Sequence, residues 1–478
     1  MNRRHLFRMS AAGALALGLP RAPAAAPGPV MSALSEFMAA APKNPLPQDA
    51  LEQARHHLLD TLASMISGSE LAPGRSGLKY VQANGGKGAA TIAGTSATAA
   101  PADAALANGM AAHADETDDS HNASRSHPGS SVVPAALAAG EQFGVNGARL
   151  LRAVALGYDI GPRVVLAMGG AAFSYDSSLA THSIAGTFGA AAAAGCCAGL
   201  DAQQMRWLLD YAAQQSSGIV AWRRDTDHIE KAFVFAGMPA RNGVTAALGV
   251  REGWNGVDDV FSGADNFFQA YAPKAEPAKL LDGLGKRFEI AQTDIKKWTV
   301  GSPIQAPLDA LEAIRAKRPF EAAEVTRVTV RLAPSVAAVV DNRDIPDICL
   351  QHMVAVMLLD KTVSFHAAHD KPRMQDAAAL RERKKVVLVK DQELAKALPV
   401  RVAVVEVAFA DGKILSEKVT AVRGTPRNPM SHQEVVAKAK DLIEPVLGGF
   451  NASRIVEAVY AIESLPDVNY LRQYLQRK

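Results

Sequence analysis

The sequence predicts a mainly α protein, a large all-helical domain carrying an inserted, smaller α+β domain. Three observations carry this. Alanine and glycine are abundant while aromatic residues make up only 6% of the chain, a composition that favours closely packed helices over a β-sandwich. Apolar residues recur at helical spacing up to about residue 275 and again after 426, while strand-like alternation is confined to the stretch between. At 478 residues, two domains are the natural division.

The chain opens on MNRRHLFRMSAAGALALGLPRAPAAAPG. Arg3 and Arg4 give a basic start, an apolar stretch runs from Met9 to Leu19, and small residues suit cleavage near Ala24 to Ala26. The stretch is too short to span a bilayer. The order resembles a twin-arginine export signal, so residues 1–26 are expected to be removed and the mature protein to be periplasmic, with no membrane segment.

A helix is predicted from Pro47 to Gly68, with Leu51, Ala54, Leu58, Leu62, Met65 and Ile66 on one face and Gly68 as its stop. His56 and His57 fall on it and read as surface or packing residues. Further helices are expected near 101–114, 131–143, 147–158, 183–199 and 202–217. After about 275, VTRVTVRLAP and KKVVLVK read as strands. RVAVVEVAFADGKILSEKVTAV reads as a hairpin turning at Asp411-Gly412. A helix containing DICLQHMVAVMLL lies between. Ser431 and Glu434 fit a capping box that returns the chain to helix, and two short helices close it. The expected division is a helical domain of 32–274 plus 426–478 and an α+β domain of 275–425.

Lys+Arg (51) nearly balance Asp+Glu (48), and no block of like charge suggests nucleic acid. Cys196, Cys197 and Cys349 offer neither a disulfide framework nor a C-x-x-C knuckle.

Four segments hold the chemistry. HADETDDSHNASRSHPG, residues 113–129, sets three histidines and four acidic residues between alanine-rich runs. Pro128-Gly129 turns the chain into a helix whose free N–H groups suit a carboxylate. In LATHSIAGTFG, His182 opens a helix of small residues. RRDTDHIEKAFVFAGMPARNG places Lys231 before an apolar stretch and Arg241-Asn242-Gly243 after it. DIKKWTVGSPIQAPLDAL carries Lys296 and Lys297. Taken singly, they have plainer readings: a wet loop, a structural histidine and solvated lysines. His113, Asp115, Asp118, Asp119, His121 and His127 have the donor types of a zinc or manganese site. They lack an ordered signature such as H-E-x-x-H, so no metal is expected.

Together these segments resemble the MmgE/PrpD family, which includes 2-methylcitrate dehydratase, cis-aconitate decarboxylase and iminodisuccinate epimerase. ARHHLLDTLASMISG, ANGMAAHADETDDSHNASRSHPGS, THSIAGTFGAAAAAG, KAFVFAGMPARNG, IKKWTVG and VVDNRDIPD occur in the family's order, and the likeness runs from about 32 to 470. The resemblance implies an all-helical domain with an inserted α+β lid, a homodimer, no cofactor and a small carboxylate substrate. It places His127, His182, Lys231 and Lys296 in the active site, and Asp118, Asp119 and Ser120 on the last three positions of the family's DYDDT-like stretch. Glu116 stands for that stretch's leading aspartate. The spacing to His127 is one residue longer than in the decarboxylase, and no tyrosine stands near Asn342-Arg343.

The roles this implies are His127 and His182 as the proton-transfer pair, with Lys231 and Lys296 on substrate carboxylates. Asp118 and Asp119 would orient a histidine or lysine, and Ser120, Glu116 and Arg241 would bind substrate. The expected reaction removes a proton beside a carboxylate with loss of water, with decarboxylation or epimerisation of a related diacid as alternatives. A non-catalytic carboxylate-binding protein is the rival from another class. The histidine pair weighs against it, because binding alone does not need two proton carriers.

Overall fold

The computed structural model describes residues 26–477; the export signal expected over 1–26 lies, but for its last residue, outside them. Helices dominate. Helices α1 (Gln48–Gly68), α2 (Pro101–Ala112), α3 (Gly129–Phe143), α4 (Gly147–Met168), α5 (Thr181–Ala198) and α6 (Ala202–Gln215) stand where periodicity placed them. One difference is that α4 continues well past residue 158, through Gly161-Pro162. Packing explains it: a Cβ on Gly161 would lie 2.2 Å from the Ala185 carbonyl oxygen of α5. Only a glycine there lets the two helices approach so closely. Every residue of α5 is buried. α7 (Met238–Arg251) closes on it in the same way, since a Cβ on Gly243 would meet the Ala191 nitrogen at 2.4 Å.

A second hydrophobic core runs from Trp298 to Val422. It holds a four-stranded sheet of β1 (Val325–Leu332), β2 (Val386–Lys390), β3 (Ala403–Phe409) and β4 (Ile414–Val419) in the order β2-β1-β3-β4. β1 pairs parallel to β2 and antiparallel to β3, and β3 and β4 form the expected hairpin, with Gly412 at φ +81° in its turn. Inward positions of β3 are buried and alternate with half-buried ones, the period-2 pattern that made it legible. α8 (Ser302–Lys317) and α9 (Leu350–Asp360) pack beside this sheet.

Residues 275–297, assigned to the α+β unit from sequence, pack instead on the helical core through Leu280, Ile290 and Ile295. The change of composition precedes the change of core. The chain then returns in α10 (His432–Tyr460), opened by the Ser431–Glu434 capping box and kinked at Gly448 (φ +80°). No helix among the described residues is long and apolar enough to cross a membrane.

Candidate active site

The segment between α2 and α3 is not a wet loop. Every residue from His113 to His121 is buried. Irregular backbone seldom goes inside, because its polar groups must still find partners. Here side chains supply them. Lys296 Nζ donates to the Glu116 carbonyl at 2.8 Å, Lys438 Nζ to that of Thr117 at 3.0 Å, and His127 Nδ1 to that of Asp119 at 2.5 Å. Ser120 exchanges both backbone bonds with Asp294, at 3.0 and 2.8 Å. Lys438, on α10, also pairs with buried Asp60 of α1 at 2.6 Å.

The two adjacent aspartates face different ways. Asp118 Oδ2 meets His113 Nδ1 at 2.8 Å, while its Oδ1 lies 3.3 Å from His127 Nδ1 and 3.6 Å from Lys296 Nζ. Burial works to raise its pKa, but His113, His127 and Lys296 hold the carboxyl well below the usual carboxylate range. Asp119 points into the helical core. It accepts from His57 Nδ1 at 2.9 Å and Tyr158 OH at 2.5 Å, and from the Gly129 N–H at 3.1 Å. The free N–H at the start of α3 does take a carboxylate, and it is the protein's own. His57 is therefore buried and engaged, not on a helix surface, and His56 is buried against His432 and Tyr460.

His127 and His182 come together, with ring centroids 5.4 Å apart and an interplanar angle of 24°. Phe235 is their shared wall, stacked on His182 at 3.8 Å and on His113 at 4.6 Å. It sits in a π-helical turn, Phe233–Gly237, an i→i+5 irregularity that often marks functional sites. His182 lies in the first turn of α5. Burial foremost, then the fields of His127, Arg125, His113 and Lys231, push its pKa well below the ordinary value. The positive end of α5 acts in the same direction. His182 is thus a neutral imidazole, and its Nδ1 is buried without a partner.

Lys231 lies near the rings of Phe235 (5.3 Å) and Trp222 (5.8 Å) and forms an ion pair with Glu116. Burial opposes ionisation of Glu116, but Lys231 and Lys296 hold its carboxyl below the usual range. Glu116 accordingly anchors a lysine, where sequence had given it to substrate. Ser120 is fixed through its backbone and lines a neighbouring cavity rather than the histidine cluster. Arg241, on α7, makes none of these contacts; its guanidinium meets Asn242.

Several groups went unassigned in the sequence. His113 stands in the charged segment but was weighed only as a metal ligand. His228 precedes Lys231 by a single helical turn, a spacing that points to a shared face. It holds φ +62°, rare for a residue with a Cβ, and its ring lies 5.2 Å from His113. Asp347 and His369 come from the second half. His369 Nε2 meets Asp115 Oδ2 at 2.9 Å. Burial opposes the imidazolium, yet Asp115 and Asp347 bring His369 up to about 9. Burial lifts Asp347 to about 7. Asp347 closes the VVDNRDIPD stretch of the family likeness, whereas nothing local in the sequence announces His369.

The donor atoms of His113, Asp118 and His127 lie within 4.8 Å of one another, a spacing that a metal ion can use. In this arrangement both Nδ1 atoms already face Asp118, and the ammonium of Lys296 stands beside it.

The MmgE/PrpD N-terminal domain matches residues 32–280 and the MmgE/PrpD C-terminal domain residues 298–463. The chain belongs to the MmgE/PrpD family. The junction between the two matches falls where the second hydrophobic core begins. A cis-aconitate decarboxylase-like protein of Aspergillus oryzae is 26% identical over 474 residues, covering 93% of this chain and 96% of that protein. The cis-aconitate decarboxylase of Aspergillus terreus is 24% identical over 470 residues, covering 90% and 92%. That of Homo sapiens is 23% identical over 449 residues, covering 89% and 90%.

Proposed function

We propose that this MmgE/PrpD protein is a cofactor-independent lyase that acts on a small di- or tricarboxylate by proton transfer at the carbon beside a carboxylate. The observation that carries it is the His127–His182 pair, one ring neutral and the other beside a carboxylate, walled by Phe235 and flanked by two lysines.

His182, kept neutral, is the base. His127 donates Nδ1–H to the Asp119 carbonyl, which fixes its tautomer and leaves Nε2 to carry the exchangeable proton. Asp118 Oδ1 stands 3.3 Å from the same Nδ1, and in this reading His127 is the acid. In dehydration, His182 takes the proton from carbon, the C–O bond breaks with a proton from His127, and water leaves as the double bond forms. Lys231 and Lys296 stabilise the charge that builds on the carboxylate. A redox cofactor has no part in these steps.

Decarboxylation is the second reading, favoured by the names of the relatives. There a C–C bond breaks, carbon dioxide leaves, and the acid returns a proton to carbon. The second half, which brings Asp347 and His369 to the site, acts as a lid in this proposal. Assembly as a homodimer and twin-arginine export to the periplasm belong to it too. Light scattering and mapping of the mature N-terminus test them.

The deciding experiment is NMR of cis-aconitate, citrate, 2-methylcitrate and iminodisuccinate incubated with the protein in deuterated water. A new alkene without loss of carbon supports dehydration. Loss of carbon dioxide with deuterium uptake supports decarboxylation. Tight binding of one of these acids with neither turnover nor deuterium uptake would establish the carboxylate-binding protein instead.

A further inference from the structure

One sizeable cavity does not contain the histidine cluster. It has a volume of about 670 Å³ and lies between the two halves, with Ala123, Leu166 and Ala171 on one side and Val400, Arg401 and Val422 on the other. That is the size of a small-molecule site. It meets the proposed active site only along the wall made by Ser120 and Lys296. Lys296 commits its ammonium to the Glu116 carbonyl and Asp118.

The charges around this cavity do not cancel. Arg287 is matched by Asp282 and Glu289, Arg423 by Glu434 and Lys279 by Glu276. Arg401 and Arg427 form no ion pair among the described residues, and Arg401 Nε is buried with no hydrogen-bond partner. The remaining carboxyl on the wall, Asp294, is pushed up to about 7 by burial, against a bond from Asn122. It therefore carries only part of a charge near neutrality. Tyr175 and Arg125 also act on Arg401, and Arg125 adds like charge. A partly buried guanidinium with an orphaned N–H, beside another guanidinium, is costly unless an anion joins it.

We propose that this cavity is a second binding site, for a small organic anion with an apolar body whose acid group is held by Arg401 and Arg427. Its apolar walls take the body of the ligand, and the two arginines take a carboxylate or a phosphate monoester. Because the walls come from both halves, occupancy holds the halves together and bears on the Lys296 wall shared with the proposed active site.

The test is calorimetric titration of the full chain with hexanoate and with hexyl phosphate, with hexan-1-ol as the uncharged control. One saturable site is expected for at least one anion, and none for the alcohol. Which anion binds tells carboxylate from phosphate. Arg401→Gln should weaken binding about tenfold or more, Arg427→Gln should weaken it less, and Lys231→Gln should leave it unchanged. If Arg401→Gln does not fold, the exposed Arg427 carries the test. Equal binding of hexan-1-ol, no saturable binding of either anion, or wild-type affinity in the arginine variants would each overturn the proposal. So would loss of binding in Lys231→Gln, which would place the anion in the histidine pocket and leave the lyase reading untouched.

Discussion

The two halves hold their polar groups in different ways. In the helical half, the charged segment is tied at many points: Asp118 to His113, His127 and Lys296, Asp119 to His57, Tyr158 and the start of α3, and three carbonyls to cations or an imidazole. The second half reaches the same region with Asp347 and His369, and its direct side-chain tie there is the His369–Asp115 pair. The proposed reacting groups are set in a rigid, close-packed frame, whereas the opposite wall is attached through a pair that titrates. In the proposed reading, preorganisation belongs to the first half, and the second half is the part free to act as a lid.

The largest expected effect breaks the chemical side of this comparison. His182→Gln should lower kcat by about 10²–10⁴-fold with the fold intact by circular dichroism, the range for losing a general base. Near-normal turnover would remove His182 from the mechanism. Because burial and its cationic neighbours keep His182 neutral, the acid limb of the wild-type pH–rate profile should lie well below the ordinary histidine range.

Lys438→Met tests the rigidity of the frame. It would leave Asp60 buried without its cation and the Thr117 carbonyl without its donor. A loss of about 3–5 kcal/mol in denaturant unfolding is expected, as for other broken buried pairs. A loss within a few tenths would show that the segment does not depend on α10.

Gly161→Ala probes the packing beneath it. The new Cβ would press on the Ala185 carbonyl and should cost about 1–3 kcal/mol. Unchanged stability would mean that α4 and α5 separate easily, and that the frame is softer than drawn.

The last effect concerns the titrating wall. His369 is raised from 6.5 to about 9 in the fold. The pair's contribution is therefore fully present below the unfolded value, fades as pH rises, and is gone above about 9. His369→Asn should lose stability at pH 6 and match the wild type near pH 10. An equal deficit at both would mean that the imidazole acts by packing alone.

The helices, the strands and the Ser431 cap were legible because each rests on local periodicity or a short capping pattern, which the backbone obeys wherever it lies. The four segments of the site were legible too, since the residue types and their order carry a family likeness. The boundary placed at 274/275 was not, because residues 275–297 change composition before they change core. Nor were the roles of Asp118 and Asp119, which are neighbours in the chain yet face opposite environments.

By itself the sequence determined the helical and strand segments, the family, and the set of imidazoles, ammonium groups and carboxylates available. Tertiary structure alone decided which of them meet: Glu116 with Lys231, Asp119 with His57, Asp115 with His369. It also decided that His182 is neutral while Asp118 is charged. The physical reason is that ionisation depends on burial and on charges brought in from distant parts of the chain, and neither is written in the local order of residues.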